Sequence, residues 1–325
     1  MTDKLNTIIK LLEGHNVFIQ THNFPDPDAV ASAFGMQNLL SYFNINSTIC
    51  YAGKAEKFTT LKMLNEFEIS IKNIDEIMNM TPNDLIVTVD AQKCNSNVTD
   101  FIGKEVVCID HHPDTHCADY KFTDIRNTGA CSTIIAEYYF DNQIPLDRKI
   151  ATALIYGIKT DTADFLRGVC ESDVAMYHKL FPLADNELLS KMQRNTMEFT
   201  DLKAYGMAIQ NIKIYDNVGY AYIPFNCPDA LIAMISDFIL ALDIIEFSVV
   251  YADRGNGYKL SVRSEIPSLD AGKITSSALK GIGSGGGHSL MAGGYVDKSM
   301  LTDINVSITT VIRNAFSSVI SKNAN

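Results

Sequence analysis

Short apolar runs separated by helical patterns dominate the first half of the sequence and limit what it can fold into. These Val- and Ile-rich runs are HNVFIQTH, STICYAG, DLIVTVD and EVVCID. Runs with so little polar alternation are typical of strands in a parallel sheet that helices cover on both faces. Between and after them lie three segments with apolar residues at helical spacing, DAVASAFGMQNLLSYF, ACSTIIAEYYF and RKIATALIYGI. The alternation predicts an open α/β sheet, whose ligands bind beyond the carboxyl ends of the strands.

The pattern changes near residue 200. A polar helical segment over 191–211 is suited to a connector, and two pairs of β-rich runs then flank the turn sequences DNVG and DRGNG, which predicts hairpins. A short helix, a glycine-dense run and a C-terminal helix follow. We therefore expect an N-terminal α/β domain over 1–190, a connector helix over 191–210 and a smaller C-terminal α/β domain over 211–325.

The balance of charge restricts the partners. The chain has 27 Lys and Arg against 38 Asp and Glu, a net charge of −11. Residues 1–205 hold 18 Lys and Arg and 28 Asp and Glu, so a net charge of −10 lies in the α/β half. Proteins that wrap long nucleic acids neutralise many phosphates with Lys and Arg, so no long nucleic acid is expected as a partner. A small anionic substrate held by metal ions remains compatible with this charge.

Cysteine usage and hydropathy indicate the location. Seven cysteines are scattered from Cys50 to Cys227 without a C-x-x-C pair, which is typical of reduced thiols in the cytoplasm. The N-terminus shows no signal-peptide pattern, and charged residues interrupt the most membrane-like stretch, 230–252. We expect a cytoplasmic protein without membrane contact. The sequence leaves the oligomeric state open, with a homodimer as one option.

Acidic and imidazole side chains follow several predicted elements. They are His22, Asp26 and Asp28 in an H-x-x-x-D-x-D pattern, Asp90 at the end of DLIVTVD, Asp110, His111 and His112 at the end of EVVCID, and Asp161 after the helix RKIATALIYGI. Parallel strands end at one edge of a sheet, so the first three groups should converge there. Carboxylates with imidazoles suit Mn²⁺, and more weakly Mg²⁺, Co²⁺ or Fe²⁺. The ligands suffice for two ions with one bridging carboxylate, although each group alone also fits a helix cap or turn.

Four of these segments resemble the motifs of the DHH phosphoesterase superfamily, namely THNFPDPDAVAS, VTVDAQ, CIDHHP and GIKTDTADF. VRS and GSGGGHSLMAGG are similar to its DHH-associated substrate-binding domain, and the order resembles the nanoRNase/pAp-phosphatase branch. Family II inorganic pyrophosphatases and exopolyphosphatases are more distant relatives. One departure is VTVDAQ, because relatives often have a small hydroxyl residue soon after the aspartate. This departure leaves open whether a hydrogen bond supports the predicted metal ligand Asp90.

The resemblance implies two domains and two bound divalent metal ions, for which Mn²⁺ is the preferred candidate. The catalytic, metal-binding DHH domain would be 1–190, and the substrate-binding domain 211–325. One ion would be held by His22, Asp26 and Asp90, and the other by Asp28, Asp90, His111 and Asp161, with Asp90 bridging.

The DHH motif also contains a candidate proton donor. His112 would face the substrate phosphate, and Asp110 can orient its ring, so His112 is the candidate general acid near the leaving oxygen. The alternative is that His112 is a structural histidine behind the metal ligands.

A second phosphate-binding group is expected in the C-terminal domain. Successive glycines over 283–287 can turn backbone N–H groups towards an anion as a nest, with His288 as a further donor. The forked guanidinium of Arg263 can grip a phosphate. The predicted substrate-binding residues are Arg263, Gly286, Gly287 and His288, although a glycine-rich run can also be a flexible loop.

The pattern and the resemblance favour an enzyme, a metal-dependent phosphoesterase. Its expected substrates are short oligoribonucleotides (nanoRNA), linear dinucleotides such as pApA, and 3′-phosphoadenosine 5′-phosphate. One alternative is a hydrolase of pyrophosphate or short polyphosphate, and another is a non-catalytic nucleotide-binding module. The sequence leaves the preferred nucleotide, the cleavage direction and the physiological metal open.

Overall fold

A computed structural model describes residues 1–55, 57–113, 118–194, 197–266, 268–301 and 306–323. Contacts divide the chain into two compact units, Met1–Thr196 and Met197–Asn325. Each unit has a six-stranded sheet within these described ranges. The finer division at 190 and 210 stays a prediction.

The first unit is built around a parallel sheet. Its strands are β1 (Val17–Gln20), β2 (Ser47–Tyr51), β3 (Lys72–Asn73), β4 (Leu85–Val89), β5 (Lys104–Asp110) and β6 (Phe122–Ile125). Its helices are α1 (Asp3–Leu12), α2 (Pro27–Tyr42), α3 (Phe58–Glu66), α4 (Cys131–Asp141), α5 (Arg148–Asp161), α6 (Glu171–Leu180) and α7 (Asn186–Gln193). The predicted open α/β sheet is confirmed.

The strand order of this sheet determines where a ligand can bind. The order is β3-β2-β1-β4-β5-β6, so the chain builds outward in one direction from β1 and in the other from β4. Every residue of β1 and β4 is buried, which explains why both read as unbroken apolar runs. Ligands of open α/β sheets bind where the order reverses, outside the carboxyl ends of the strands. That point lies between β1 and β4.

The second unit contains a mixed sheet in the order β11-β12-β10-β9-β8-β7. Its strands are β7 (Lys213–Tyr215), β8 (Val218–Ile223), β9 (Phe247–Asp253), β10 (Gly257–Ser264), β11 (Gly283–Gly287) and β12 (Met291–Asp297). Its helices are α8 (Leu202–Asn211), α9 (Asp229–Leu240), α10 (Ala271–Ala278) and α11 (Ile308–Asn323). The two predicted hairpins are confirmed as the antiparallel pairs β7–β8 and β9–β10.

Three local expectations are wrong. The segment 191–211 is not one helix, because the Asp201 carboxylate accepts the Glu198 N–H and starts a new helical turn. Asp161 is the last residue of α5 rather than a residue that follows the helix, because the α5 hydrogen bonds continue past RKIATALIYGI. Cys94 is disulfide-bonded rather than a reduced thiol, since spacing along a sequence does not show which cysteines a fold brings together.

Two other expectations concern the cell. Of the helices within the described residues, none combines the length and apolar character needed to cross a membrane. The cytoplasmic location and the homodimer stay predictions.

Candidate metal centre

The candidate centre lies where the strand order reverses. His22 follows β1, and Asp90 directly follows β4 with a φ of 53°. A positive φ is uncommon outside glycine, although aspartate tolerates it better than most residues. This backbone turn at Asp90 ends the strand and starts the loop that carries the carboxylate into the centre.

The first cluster contains His22, Asp26 and Asp90. The His22 Nε2 atom lies 3.9 Å from Asp26 Oδ1 and 3.7 Å from Asp90 Oδ2. Asp26 is also the N-cap of α2, since its Oδ1 accepts the backbone N–H groups of Asp28 and Ala29, both at 3.2 Å. The helix-cap alternative therefore holds for Asp26, and because the cap fixes the carboxylate beside His22, it is compatible with the ligand prediction.

The second cluster contains Asp28, His111 and Asp161. Asp28 is buried in α2, and its two oxygens accept the N–H groups of Cys131 at 2.7 Å and Ser132 at 3.0 Å. These are the first amides of α4, so Asp28 provides a carboxylate at the positive end of that helix. Burial, followed by the charges of Asp90 and Asp161, raises the pKa of Asp28.

The ring of His111 is oriented for a cation. Its Nδ1 atom lies 3.0 Å from the Thr128 carbonyl oxygen, and its Nε2 atom lies 3.3 Å from Asp90 Oδ1 and 3.2 Å from Asp161 Oδ2. A neutral ring that donates from Nδ1 presents the Nε2 lone pair to these two carboxylates, which is the arrangement of metal-binding histidines. Burial alone would lower the pKa of His111, but the carboxylates of Asp90, Asp28 and Asp161 raise it to about 11.

Asp90 gives the most direct sign that a cation fits. Its Oδ1 is buried, and no described residue forms a hydrogen bond with it. Its ion-pair neighbours are His111 Nε2 at 3.3 Å and His112 Nδ1 at 3.7 Å. A buried polar atom that forms no hydrogen bond is costly, and a metal ion is one way to satisfy it. Burial and the charges of Asp26 and Asp90 also raise the pKa of Asp161 to about 6. The donor set fits bound divalent cations, and the individual ligand roles stay predictions.

Close packing keeps the two clusters together. A Cβ atom on Gly157 of α5 would lie 2.2 Å from Ser132 Oγ and 3.0 Å from Asp28 Oδ1. Only glycine therefore allows α5, which ends at Asp161, to approach Asp28 this closely.

The predicted proton donor is held from behind by two polar side chains. His112 Nδ1 lies 2.9 Å from Asp110 Oδ1, and Gln92 Nε2 donates to Asp110 Oδ2 at 2.7 Å. The hydrogen bond with Asp110 raises the pKa of His112. Gln92 was not predicted as a site residue, although it lies in VTVDAQ, the segment that departs from the family pattern. From this position its amide donates a hydrogen bond to Asp110.

The predicted phosphate-binding residues lie in the second unit. Arg263 in β10 donates from Nε to Asp237 Oδ1 at 2.6 Å and from Nη1 to Ser261 Oγ at 3.0 Å. His288 is exposed in the turn after β11. The expected glycine nest is wrong, since Gly283–Gly287 form β11, which pairs with β12.

Tight contacts explain the glycines of β11. A Cβ atom on Gly285 would lie 2.7 Å from Thr275 Cγ2 of α10, and one on Gly283 would lie 2.0 Å from the Tyr295 carbonyl oxygen. A Cβ atom on Gly286 would enter open space. The roles of Gly286, Gly287 and His288 in substrate binding stay predictions.

Comparison with known proteins decides the family. Residues 16–158 match the model of the DHH family, N-terminal domain, and residues 216–314 match that of the DHHA1 domain. The chain belongs to the DHH family. This confirms the expected DHH phosphoesterase with a C-terminal DHHA1 domain.

Several curated relatives of this DHH protein cover much of the chain. An uncharacterized protein of Methanocaldococcus jannaschii is 28% identical over 85% of the chain, and the match spans only 57% of that relative. The probable bifunctional oligoribonuclease and PAP phosphatase NrnA of Streptococcus mutans is 25% identical over 90% of the chain and 93% of its own length. A manganese-dependent inorganic pyrophosphatase of Methanothrix thermoacetophila is 25% identical over 51% of the chain and 53% of its own length.

A solved structure has the same fold. The exopolyphosphatase-related protein from Bacteroides fragilis superimposes with a TM-score of 0.78 at 17% identity, covering 99% of this chain and 98% of its own.

Proposed function

We propose that this DHH protein is a Mn²⁺-dependent phosphoesterase that hydrolyses short oligoribonucleotides, linear dinucleotides such as pApA, and 3′-phosphoadenosine 5′-phosphate. The observation that carries the proposal is the buried Asp90 Oδ1, which lacks a hydrogen-bond partner among the described residues and lies between two His/Asp clusters. Similarity over 90% of the chain to a probable bifunctional oligoribonuclease and PAP phosphatase supports the substrate class.

The two clusters would each hold one divalent ion. The ligands would be His22, Asp26 and Asp90 for one ion, and Asp28, Asp90, His111 and Asp161 for the other. Such ions, when bound, neutralise phosphate oxygens and make water a nucleophile near neutral pH. Oxygen and imidazole ligands suit Mn²⁺.

His112 would supply a proton to the leaving oxygen. Its side chain is 50% exposed, and its Nδ1 bond to the buried Asp110 directs Nε2 away from that carboxylate. The hydrogen bond with Asp110 raises the pKa of His112, so the imidazolium form is more favoured than in a free imidazole. A proton held at Nε2 is what a general acid must present to a leaving group.

The second unit would hold the substrate's phosphate or nucleotide. Asp237 and Ser261 fix two nitrogens of Arg263, and its third nitrogen, Nη2, has no hydrogen-bond partner among the described residues. A guanidinium held in this way can donate to a phosphate without first losing rotational freedom. Gly286, Gly287 and His288 would complete the grip.

An activity panel with Mn²⁺ tests the proposal. The substrates are pApA, RNAs of about three and five nucleotides, 3′-phosphoadenosine 5′-phosphate and pyrophosphate. We expect turnover of the nucleotide substrates, with pyrophosphate the poorest. Pyrophosphate as the best substrate would replace the proposal by an acid-anhydride hydrolase, and nucleotide binding without turnover would indicate a binding module.

Substrate length gives a second test of the proposal. Two divalent ions add about four positive charges to the acidic first domain, whereas residues 206–325 carry a net charge of only −1 (9 Lys and Arg against 10 Asp and Glu). Each added nucleotide therefore brings little attraction, so kcat/KM should be highest for RNAs of roughly 2–5 nucleotides and decline with length. Because a dinucleotide makes few phosphate contacts, its kcat/KM should depend only weakly on salt concentration. Hydrolysis of 5′-labelled RNAs of about 2, 5 and 24 nucleotides at two salt concentrations measures this. Equal or faster cleavage of the longest RNA would contradict the small-substrate proposal.

A further inference from the structure

Asp173 of α6 is a buried carboxylate that the proposed chemistry does not use. Its exposed fraction is 0%. Oδ2 accepts the backbone N–H groups of Gly129 at 2.8 Å and Cys170 at 2.7 Å, and Oδ1 accepts the Thr133 hydroxyl at 2.6 Å. No described Lys or Arg forms an ion pair with it. A buried carboxylate costs several kcal/mol unless hydrogen bonds compensate it, so these three donors account for its presence.

The first of these bonds connects Asp173 to His111. Gly129 follows Thr128, whose carbonyl oxygen accepts the hydrogen bond from His111 Nδ1 at 3.0 Å. A Cβ atom on Gly129 would lie 2.5 Å from Asp173 Oδ2 and 2.6 Å from Thr162 Cγ2. The backbone beside the Thr128 carbonyl is therefore pressed between Asp173 and the residue that follows Asp161.

The second connection runs to Asp28. The amides that bind Asp28 belong to Cys131 and Ser132, and the next residue, Thr133, donates its hydroxyl to Asp173. The bond to Thr133 thus anchors the start of α4, beside the amides that bind Asp28.

We propose that Asp173 is a positioning residue for metal binding, which holds the Thr128 carbonyl in the register that orients His111. The proposal rests on the metal centre proposed above. The hydrogen bond to Gly129 carries the effect, because it is the contact adjacent to the His111 acceptor. The bond to Thr133 contributes to stability.

Two substitutions of Asp173 separate positioning from simple loss of stability. Asp173→Ala removes every hydrogen bond of the carboxylate. Asp173→Asn keeps an oxygen for the two backbone N–H groups and presents its NH₂ to the Thr133 hydroxyl, which can rotate to accept. Thr133→Val is the matched control, since it removes the Oδ1 bond and leaves the Gly129 bond in place.

The measurements are the Kd for Mn²⁺, from the electron paramagnetic resonance signal of free Mn²⁺, and the Tm of the metal-free full chain. Substituting a residue that orients a metal ligand typically lowers metal affinity by roughly 10- to 100-fold, so Asp173→Ala should raise the Kd for Mn²⁺ by about that factor. Asp173→Asn should restore a Kd close to that of the unaltered protein. Thr133→Val should lower the Tm and leave the Kd unchanged.

If Asp173→Ala does not fold, Asp173→Ser should show the same loss of Mn²⁺ affinity, because the shorter serine side chain does not reach Gly129.

An unaltered Kd in Asp173→Ala, or a loss of affinity in Thr133→Val as large as in Asp173→Ala, would overturn the positioning role alone. Absence of Mn²⁺ binding by the unaltered protein would overturn the metal centre, and this role with it.

Discussion

The two units compensate their charged side chains in different ways. In the first unit, the described residues bring five aspartates (Asp26, Asp28, Asp90, Asp110 and Asp161) together with three histidines. One buried oxygen, Asp90 Oδ1, forms no hydrogen bond with the described residues and faces the ring nitrogens of His111 at 3.3 Å and His112 at 3.7 Å. In the second unit, the predicted phosphate grip, Arg263, is already paired with Asp237 at 2.6 Å.

This difference shows which unit needs an ion from solution. Buried carboxylates without enough donors are stabilised by cations, so we expect metal to complete the first unit. Arg263 is already neutralised by Asp237 and needs no ion from solution, and its Nη2 can still donate to a ligand. The proposed function therefore places the chemistry in the first unit and substrate recognition in the second.

Removing the bridge should break this comparison most strongly. Asp90→Ala leaves two cations without the carboxylate between them, and their repulsion at short range should expel at least one ion. We expect turnover to disappear and the bound metal to fall. Metal analysis and turnover of pApA check this, with the exposed Asp243→Ala as the control. Near-normal activity with a full metal complement would contradict the bridging role.

Loss of the phosphate grip should have a smaller effect and leave the metal in place. A lost hydrogen bond to a charged group costs roughly 1.5–3 kcal/mol, so kcat/KM of Arg263→Ala should fall by about 10- to 150-fold. The exposed His288→Ala should act in the same direction. Arg254→Ala, which removes an arginine paired with Asp229 in the same unit, is the matched control. Loss of bound metal in Arg263→Ala would show that the two roles are not divided as proposed.

A change in pH should have the smallest effect and act on the first unit, where the carboxylates and imidazoles cluster. In the metal-free protein the surrounding carboxylates outweigh burial and raise the pKa of His111 to about 11, so an incoming ion must displace a proton. One released proton makes Mn²⁺ affinity rise about tenfold per pH unit, and affinity should therefore be lower at pH 7 than at pH 8. Calorimetric titration in buffers of different ionisation enthalpy measures both the affinity and the released proton. Affinity independent of pH would contradict the displacement of a proton from His111.

The sequence was most informative where one local rule decides the structure. Runs such as DLIVTVD are buried on both faces, and parallel strands end at one edge, so the convergence of His22, Asp90 and His111 was predictable. The outer strands β3 and β6 were missed because Lys72–Asn73 has only two residues and Phe122–Ile125 alternates weakly.

Tertiary contacts decide the features that the sequence did not reveal. Glycine is uncommon in strands, so the sequence does not predict β11. Glycine is required at Gly283 and Gly285 because β12 and α10 lie too close to β11 for a Cβ atom at either position. The acceptor for His111 is a backbone carbonyl, that of Thr128, and no residue type marks such a group in a sequence. Gln92 had a visible signal, since it lies two residues after Asp90 in the departing motif.

The central claim is that the first unit binds two divalent ions that share Asp90. Anomalous diffraction at the manganese edge, from crystals grown with Mn²⁺, tests it directly. We expect two manganese peaks about 3.5–4 Å apart, both in contact with Asp90, one beside His22 and the other beside His111. A single ion in the centre, or two ions of which only one contacts Asp90, would contradict it.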